Sequence, residues 1–175
     1  MAERVLEGEY VYLRKMEIED TDMIVTWRNS DAVRTRFIYQ ELFTRETHLN
    51  WIKTQVNTGK VVQMIICEKE NDRAIGSAYI RDIDHTHNKG EYGLFIGEEV
   101  ARGKGIGREV THLMLEYGLG ELGLHRIYSR VLEDNVISVK SALHGGLEQE
   151  GLAIDDVYLN GKYHNVVMLG KVKKM

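Results

Sequence analysis

Apolar residues recur along this chain with two periods, and the changes of period divide it into elements. In residues 9–14 Tyr10 and Tyr12 alternate with Val11 and Leu13, which predicts a first strand. In residues 20–29 Met23, Ile24 and Trp27 share a helical face, and Asp20 or Thr21 can cap the helix. A second helix is predicted behind Thr44, with Leu49, Ile52 and Val56 as its stripe and Gly59 as its stop. A loop around residues 30–43 separates the two. Residues 61–68 are a near-continuous apolar run, as in a central strand. Asn71-Asp72 is the turn into a strand over 74–83, where Gly76 marks a bulge or a close backbone contact. A polar loop over 84–89 precedes a fourth strand over 91–96.

The clearest helical period lies in residues 106–122. Ile106, Val110, Leu113, Met114 and Tyr117 fall on one face, and Arg108, Glu109, His112 and Glu116 fall mainly elsewhere. Gly118, Gly120 and Gly123 mark the end of this helix. Arg126–Leu132 alternates as a fifth strand, and Asn135 caps a helix over 136–144 that stops at Gly145-Gly146. Residues 152–159 and 163–172 read as strands joined by Asn160-Gly161, a hairpin signal because both central residues accept positive φ. The predicted order is β-α-α-β-β-β-α-β-α-β-β. No linker or internal repeat breaks it, so residues 1–175 are expected to be one domain.

Composition narrows the function classes. The chain is 43% apolar and 29% charged with a net charge of −4, which gives no basic excess for general nucleic-acid binding. The single cysteine, Cys67, excludes an internal disulfide and, lying in an apolar run, reads as a buried thiol. No apolar stretch has the length of a membrane span and the first residues carry no signal-like core, so a cytoplasmic protein with no membrane partner is expected. His85 and His87 lie two apart with no third ligand nearby, and no metal site is expected.

Residues 100–108 read V-A-R-G-K-G-I-G-R and lie between a predicted strand and the best predicted helix. Gly103, Gly105 and Gly107 let the backbone turn sharply and approach a ligand, and Arg102, Lys104 and Arg108 supply cations. A helix that opens from such a turn presents unpaired N–H groups at the positive end of its dipole, which suits a phosphate. A Gly-rich surface turn with solvated cations is the alternative; the flanking strand and helix favour the phosphate. A dinucleotide fingerprint would come early in the chain with an acidic residue about twenty positions on, and a nucleoside-triphosphate loop would read G-x-x-x-x-G-K-[ST]. Neither is present.

Arg102-Gly-Lys-Gly105-Ile-Gly107 resembles the R/Q-x-x-G-x-G/A acetyl-CoA pyrophosphate loop of the GNAT superfamily of N-acetyltransferases, and the element order is similar over essentially the whole chain. The stretch from Glu91 to Gly97, the run Leu122-Gly-Leu-His-Arg-Ile127 and the tail Asn160-Gly-Lys-Tyr-His164 resemble the branch that holds ribosomal-protein N-terminal and polyamine acetyltransferases. Trp27-Arg28-Asn29 and His48-Leu-Asn-Trp-Ile52 are similar instead to acetyltransferases of nucleotide-linked amino sugars. The resemblance implies an α/β (α+β) fold with a mixed central sheet of about six to seven strands flanked by about four helices.

It also implies roles. Backbone groups of Leu94, Phe95 and Ile96 would bond the pantetheine arm and the thioester carbonyl of acetyl-CoA, and backbone N–H groups from Gly103 through Lys104, Gly105, Ile106 and Gly107 to Arg108 would hold the pyrophosphate. Asn135 matches a cofactor-contacting asparagine and is equally a helix cap, and Lys140 could reach a cofactor phosphate or be solvated. Transfer to an amine requires that the ammonium, with a pKa of about 10, lose a proton. Glu91, at the start of the strand leading to the loop, is the candidate base, against a plain strand-end carboxylate. The tyrosine that commonly serves as acid in this superfamily is replaced by Ala142.

Trp27 has the spacing of a core residue, whereas Arg28 and Asn29 could hold an anionic or hydroxylated acceptor; Tyr158 and Tyr163 flank the hairpin, where family acceptor sites often lie. The implied activity is acetyl transfer from acetyl-CoA to a small-molecule or peptide amine by direct attack: a protein N-terminus, a nucleotide-linked amino sugar or a polyamine. A non-catalytic acyl-CoA-binding or sensing module is the alternative, kept open by Ala142. The Asn160-Gly161 hairpin offers a surface for a homodimer.

Overall fold

A computed structural model describes residues 3–174. Eight strands form one sheet: β1 (Arg4–Glu7), β2 (Val11–Lys15), β3 (Val62–Glu68), β4 (Ala74–Asp84), β5 (Lys89–Ile96), β6 (Arg126–Leu132), β7 (Glu148–Leu159) and β8 (Lys162–Val172). Five α-helices flank it: α1 (Thr21–Asn29), α2 (Asp31–Arg34), α3 (Arg45–Trp51), α4 (Ile106–Leu119) and α5 (Val136–Gly145). The spatial order is β1-β2-β3-β4-β5-β6-β8-β7, antiparallel throughout except that β5 and β6 run parallel.

Side-chain alternation divides the core between two faces. Val11, Leu13, Met64, Ile66 and Tyr92 pack on one face against Ile106, Val110 and Met114 of α4, whose apolar stripe follows the predicted period. Tyr12, Ile65, Cys67 and Phe95 face the other way and meet Ile24 and Trp27 of α1. Cys67 is fully buried there, as its apolar run suggested.

The structure corrects the element count. The sheet has eight strands, where six to seven were expected, because β1 pairs antiparallel with β2 across a run too short to show a period. The helix count rises from four to five because the loop after Asn29 contains the single turn α2. The helix behind Thr44 keeps its predicted cap, with the Thr44 hydroxyl accepting from the Thr47 N–H at 3.1 Å, but its second half, Ile52–Val56, is a π-helical turn. β7 starts four positions before the predicted strand. Asn160 and Gly161 both have positive φ, at 51° and 84°, as the hairpin signal required.

Candidate active site

The site originates in a fork in the sheet. β5 and β6 pair at only three positions, Lys89↔Arg126, Gly90↔Ile127 and Glu91↔Tyr128. Beyond them Tyr92–Ile96 (residues 92–96) has no strand on that side, and a cavity of about 610 Å³ opens between the diverging strands. Gly97 donates its N–H to the Ile75 carbonyl at 2.8 Å, which fixes the alternation of β5. The main-chain groups of Leu94 and Ile96 therefore point away from β4 into the gap. Those of Phe95 face its β4 partner Ser77, so this residue offers the cavity a ring and not the expected backbone contact.

The glycine loop closes one end. Gly103 and Gly105 have φ of 76° and 78°, and Gly105 is the N-cap of α4 with no side chain bonded to the first helical N–H groups. Gly107 lets α4 approach α5, since an added Cβ would come within 3.1 Å of the Ser141 hydroxyl. Arg102, Gly103, Gly105, Ile106, Gly107 and Arg108 line the cavity together with Asn135 and Lys140 from the next helix. Lys104 lies outside it, 3.9 Å from Glu68. Arg102 folds back, donating to the carbonyls of Ile96 and Gly97 at 3.3 and 3.2 Å, and so ties the loop to the end of β5. Asn135 caps α5, accepting from the Ser138 N–H at 3.4 Å, while also facing the cavity; both of its expected roles are compatible with this position.

Arg36, Arg81, Arg102, Arg108, Arg130 and Lys140 line this cavity against one carboxylate, that of Glu91, although the whole chain is net negative. Glu91 is only 3% exposed. Arg130 Nε donates to Oε1 at 3.1 Å, and Arg81 lies across the strand pair with Nη2 3.1 Å from Oε2. The Glu91 hydrogen bonds hold the Arg130 guanidinium above its ordinary range, outweighing its desolvation. The candidate base thus faces the cavity with a guanidinium bonded to each of its oxygens.

The front-end residues separate. Trp27 is core: its indole donates to Glu98 at 2.9 Å, its ring meets Phe95 edge-on at 6.2 Å, and it lines neither cavity. Asn29 staples the loop that follows α2, donating to the Phe43 carbonyl at 2.7 Å and accepting its N–H at 2.8 Å. Arg28 alone of the three reaches a cavity, a second pocket of about 100 Å³ whose wall of Phe37, Tyr79, Arg81 and Phe95 is shared with the larger one. Tyr158 is 62% exposed on β7, paired edge-on with Tyr163 at 5.0 Å, away from both cavities. Ala142 is buried in the cavity wall and supplies no hydroxyl.

Sequence reasoning missed Tyr79, Arg81, Arg130 and His48. Tyr79 sits across the ladder from Gly93, where an added Cβ would overlap its phenol, and burial pushes its pKa up. Nothing local marks Tyr79, Arg81 and Arg130, which strand register places; His48 stands in the run already noted for its resemblance, but no role was read for its side chain. The Arg81↔Glu91 pairing follows only once the β4–β5 register is known.

Known proteins place this geometry. A sequence profile of the acetyltransferase (GNAT) domain matches residues 11–148. The uncharacterised N-acetyltransferase p20 of Bacillus licheniformis is 29% identical over 173 residues, covering 97% of this chain and 96% of that one. The spermidine N(1)-acetyltransferase of Escherichia coli K12 is 24% identical over 159 residues, covering 91% and 84%. The crystal structure of Vibrio cholerae spermidine N-acetyltransferase with CoA and spermine superposes with a TM-score of 0.86 at 20% identity, covering 94% and 96%, a likeness of fold. A dodecameric structure of that protein gives 0.79. The chain belongs to the GNAT acetyltransferase family and is an acetyl-CoA-dependent N-acetyltransferase.

Proposed function

We propose that this chain transfers the acetyl group of acetyl-CoA by direct attack of a primary amine held in the β5–β6 fork. The carrying observation is the juxtaposition, in one cavity of about 610 Å³, of an unpaired β5 edge with an α4 N-terminus whose cap, Gly105, has no side chain to bond the first helical N–H groups. Acetyl-CoA supplies the reactive thioester. The N–H groups of Gly103–Arg108 (residues 103–108) hold its pyrophosphate, aided by Arg108 and Lys140. The edge N–H groups of Leu94 and Ile96 align the pantetheine arm and polarise the thioester carbonyl. Cys67 lies in the core and lines neither cavity, which favours direct attack over an acyl-cysteine. The amine bonds to the acetyl carbon as the C–S bond breaks, and the thiolate, with an ordinary pKa of about 8.5, leaves with little help.

Glu91 acts here as a positioning residue. It fixes Arg81 and Arg130 at the fork, and the proton of the ammonium leaves through water in the open cavity. Self-association through the β7–β8 hairpin belongs to the same proposal, supported by the exposed Ile154, Tyr158 and Tyr163. The test of activity is release of CoA thiol from acetyl-CoA with an amine panel. Turnover that depends on the amine supports the enzyme; tight acetyl-CoA binding with no thiol release for any amine overturns it in favour of an acyl-CoA-sensing module.

A further inference from the structure

The second pocket contains polar groups that the acetyl-transfer scheme leaves unused. Arg28 lies with its guanidinium carbon 3.7 Å from the centroid of Phe37, 5.0 Å from Phe43 and 5.9 Å from Phe95. Among the described residues its buried Nη1 has no hydrogen-bond partner. Aromatic faces attract a guanidinium but accept none of its in-plane N–H bonds. The Arg28 side chain is half-buried, but a charged N–H that is itself buried without an acceptor is costly, and such exceptions call for an occupant. His48 provides a second, independent exception in the same wall. It is 4% exposed, its Nδ1 lies 3.2 Å from the Thr21 hydroxyl, and its Nε2 is buried with no partner. The Thr21 contact is compatible with either tautomer; the one in which Nδ1 accepts leaves Nε2 carrying its hydrogen as a free donor, and this is the form an anion selects.

Among the described residues no carboxylate lines this pocket. Glu91, on the wall of the main cavity, is engaged by Arg81 and Arg130, so the acceptor end keeps a net positive charge. The ammonium groups of a polyamine would meet uncompensated guanidinium groups here. An anion would meet an arginine and a histidine donor, in a space of about 100 Å³. At ~30 Å³ per water this holds about three waters or one small charged head group.

We propose that the acetyl acceptor is a primary amine that also bears an anionic group, a carboxylate or a phosphate, and that Arg28 and His48 receive this anion in the second pocket. The inference rests on the acetyl-transfer reading of the main cavity and adds the acceptor class. Charge-assisted hydrogen bonds of this kind change affinity by about tenfold or more.

The test is thiol release with matched couples, L-methionine against L-methioninamide and phosphoethanolamine against ethanolamine, with spermidine alongside. The expected result is a kcat/KM at least about tenfold higher for the anionic member of one couple, which also tells a carboxylate acceptor from a phosphate one. In Arg28→Gln that ratio falls toward one through KM, acetyl-CoA affinity is retained, and Arg28→Lys recovers part of the ratio. Spermidine as the best substrate, equal rates within both couples, or an unchanged ratio in Arg28→Gln would overturn the proposal. Calorimetric titration of the CoA-loaded protein with the same amines decides the matter without turnover. Binding of an anionic member, lost in Arg28→Gln, supports the charge assignment even if no amine is acetylated, a result that would instead count against the acetyl-transfer reading. Absence of such binding together with absence of turnover overturns both.

Discussion

At the scale of single residues, Glu91 and His48 show how burial redirects a group of familiar chemistry. Both oxygens of Glu91 are taken by arginines, so Glu91→Gln breaks charge-assisted bonds at the fork and strands two guanidinium groups. The expected outcome is a stability loss of about 1.5–3 kcal/mol in denaturant unfolding. The pH profile of kcat/KM in this variant keeps the wild-type shape; loss of one limb of the profile would restore Glu91 as the base. Burial pushes the pKa of His48 below its ordinary 6.5. The unfolded chain therefore binds the proton first as pH falls. The stability from neutral His48 is fully present above pH 6.5 and is lost as pH drops through the window below it. A Tm measured from pH 7.5 to 5 falls more steeply in the wild type than in His48→Gln, and parallel curves would contradict this assignment.

At the scale of elements, the junction between β5 and α4 is decisive. The left-handed turn at Gly105 caps α4 without a side chain and leaves the helical N–H groups free. A Cβ added there meets nothing within 4 Å, so Gly105→Ala isolates backbone strain, with a cost of about 1–2 kcal/mol seen as a lower Tm. Gly105→Glu adds a negative charge where pyrophosphate is proposed to lie. Calorimetry is expected to find acetyl-CoA binding abolished in this variant; unchanged affinity would remove the loop from the cofactor site. The same loop was legible in the sequence because glycine spacing is a local signal, and Arg102–Arg108 (residues 102–108) stand at the strand-to-helix junction the periodicity predicted, Lys104 excepted as a cavity residue. β1 and α2 were not legible, because four residues carry too little pattern to separate a strand or a single turn from a loop.

For the whole molecule, the uneven charge matters most. A chain with net charge −4 encloses a main cavity lined by arginines and one neutralised carboxylate, so bulk composition and site potential have opposite signs. An acidic chain would by its net charge favour a cationic acceptor; the pocket favours an anionic one. The far edge of the sheet, where β7 flanks β8, carries Ile154, Tyr158 and Tyr163 in the open. Light scattering on the purified protein is expected to give a mass of at least two chains, reduced in Tyr158→Glu; a monomeric wild type would free this hairpin of an interface role.

Sequence alone determined what depends on near neighbours. Alternation and one continuous apolar run predicted the strands other than β1, the 3.6-residue period predicted α4, Thr44 and Asn135 predicted caps, Asn160-Gly161 predicted the hairpin, and three glycines predicted the turn that opens α4. Tertiary structure decided what depends on contacts between distant segments. It put Trp27 into the core and Asn29 into a loop staple, although both adjoin Arg28 in the chain, because successive helical residues point in different directions. It brought Arg81 and Arg130, ten and thirty-nine positions from Glu91, onto one carboxylate through strand register. It set His48, from a separate helix, in the same pocket wall as Arg28. Local pattern is set by the backbone geometry of a few residues, whereas the charge of a pocket is set by which side chains the sheet and its helices bring together.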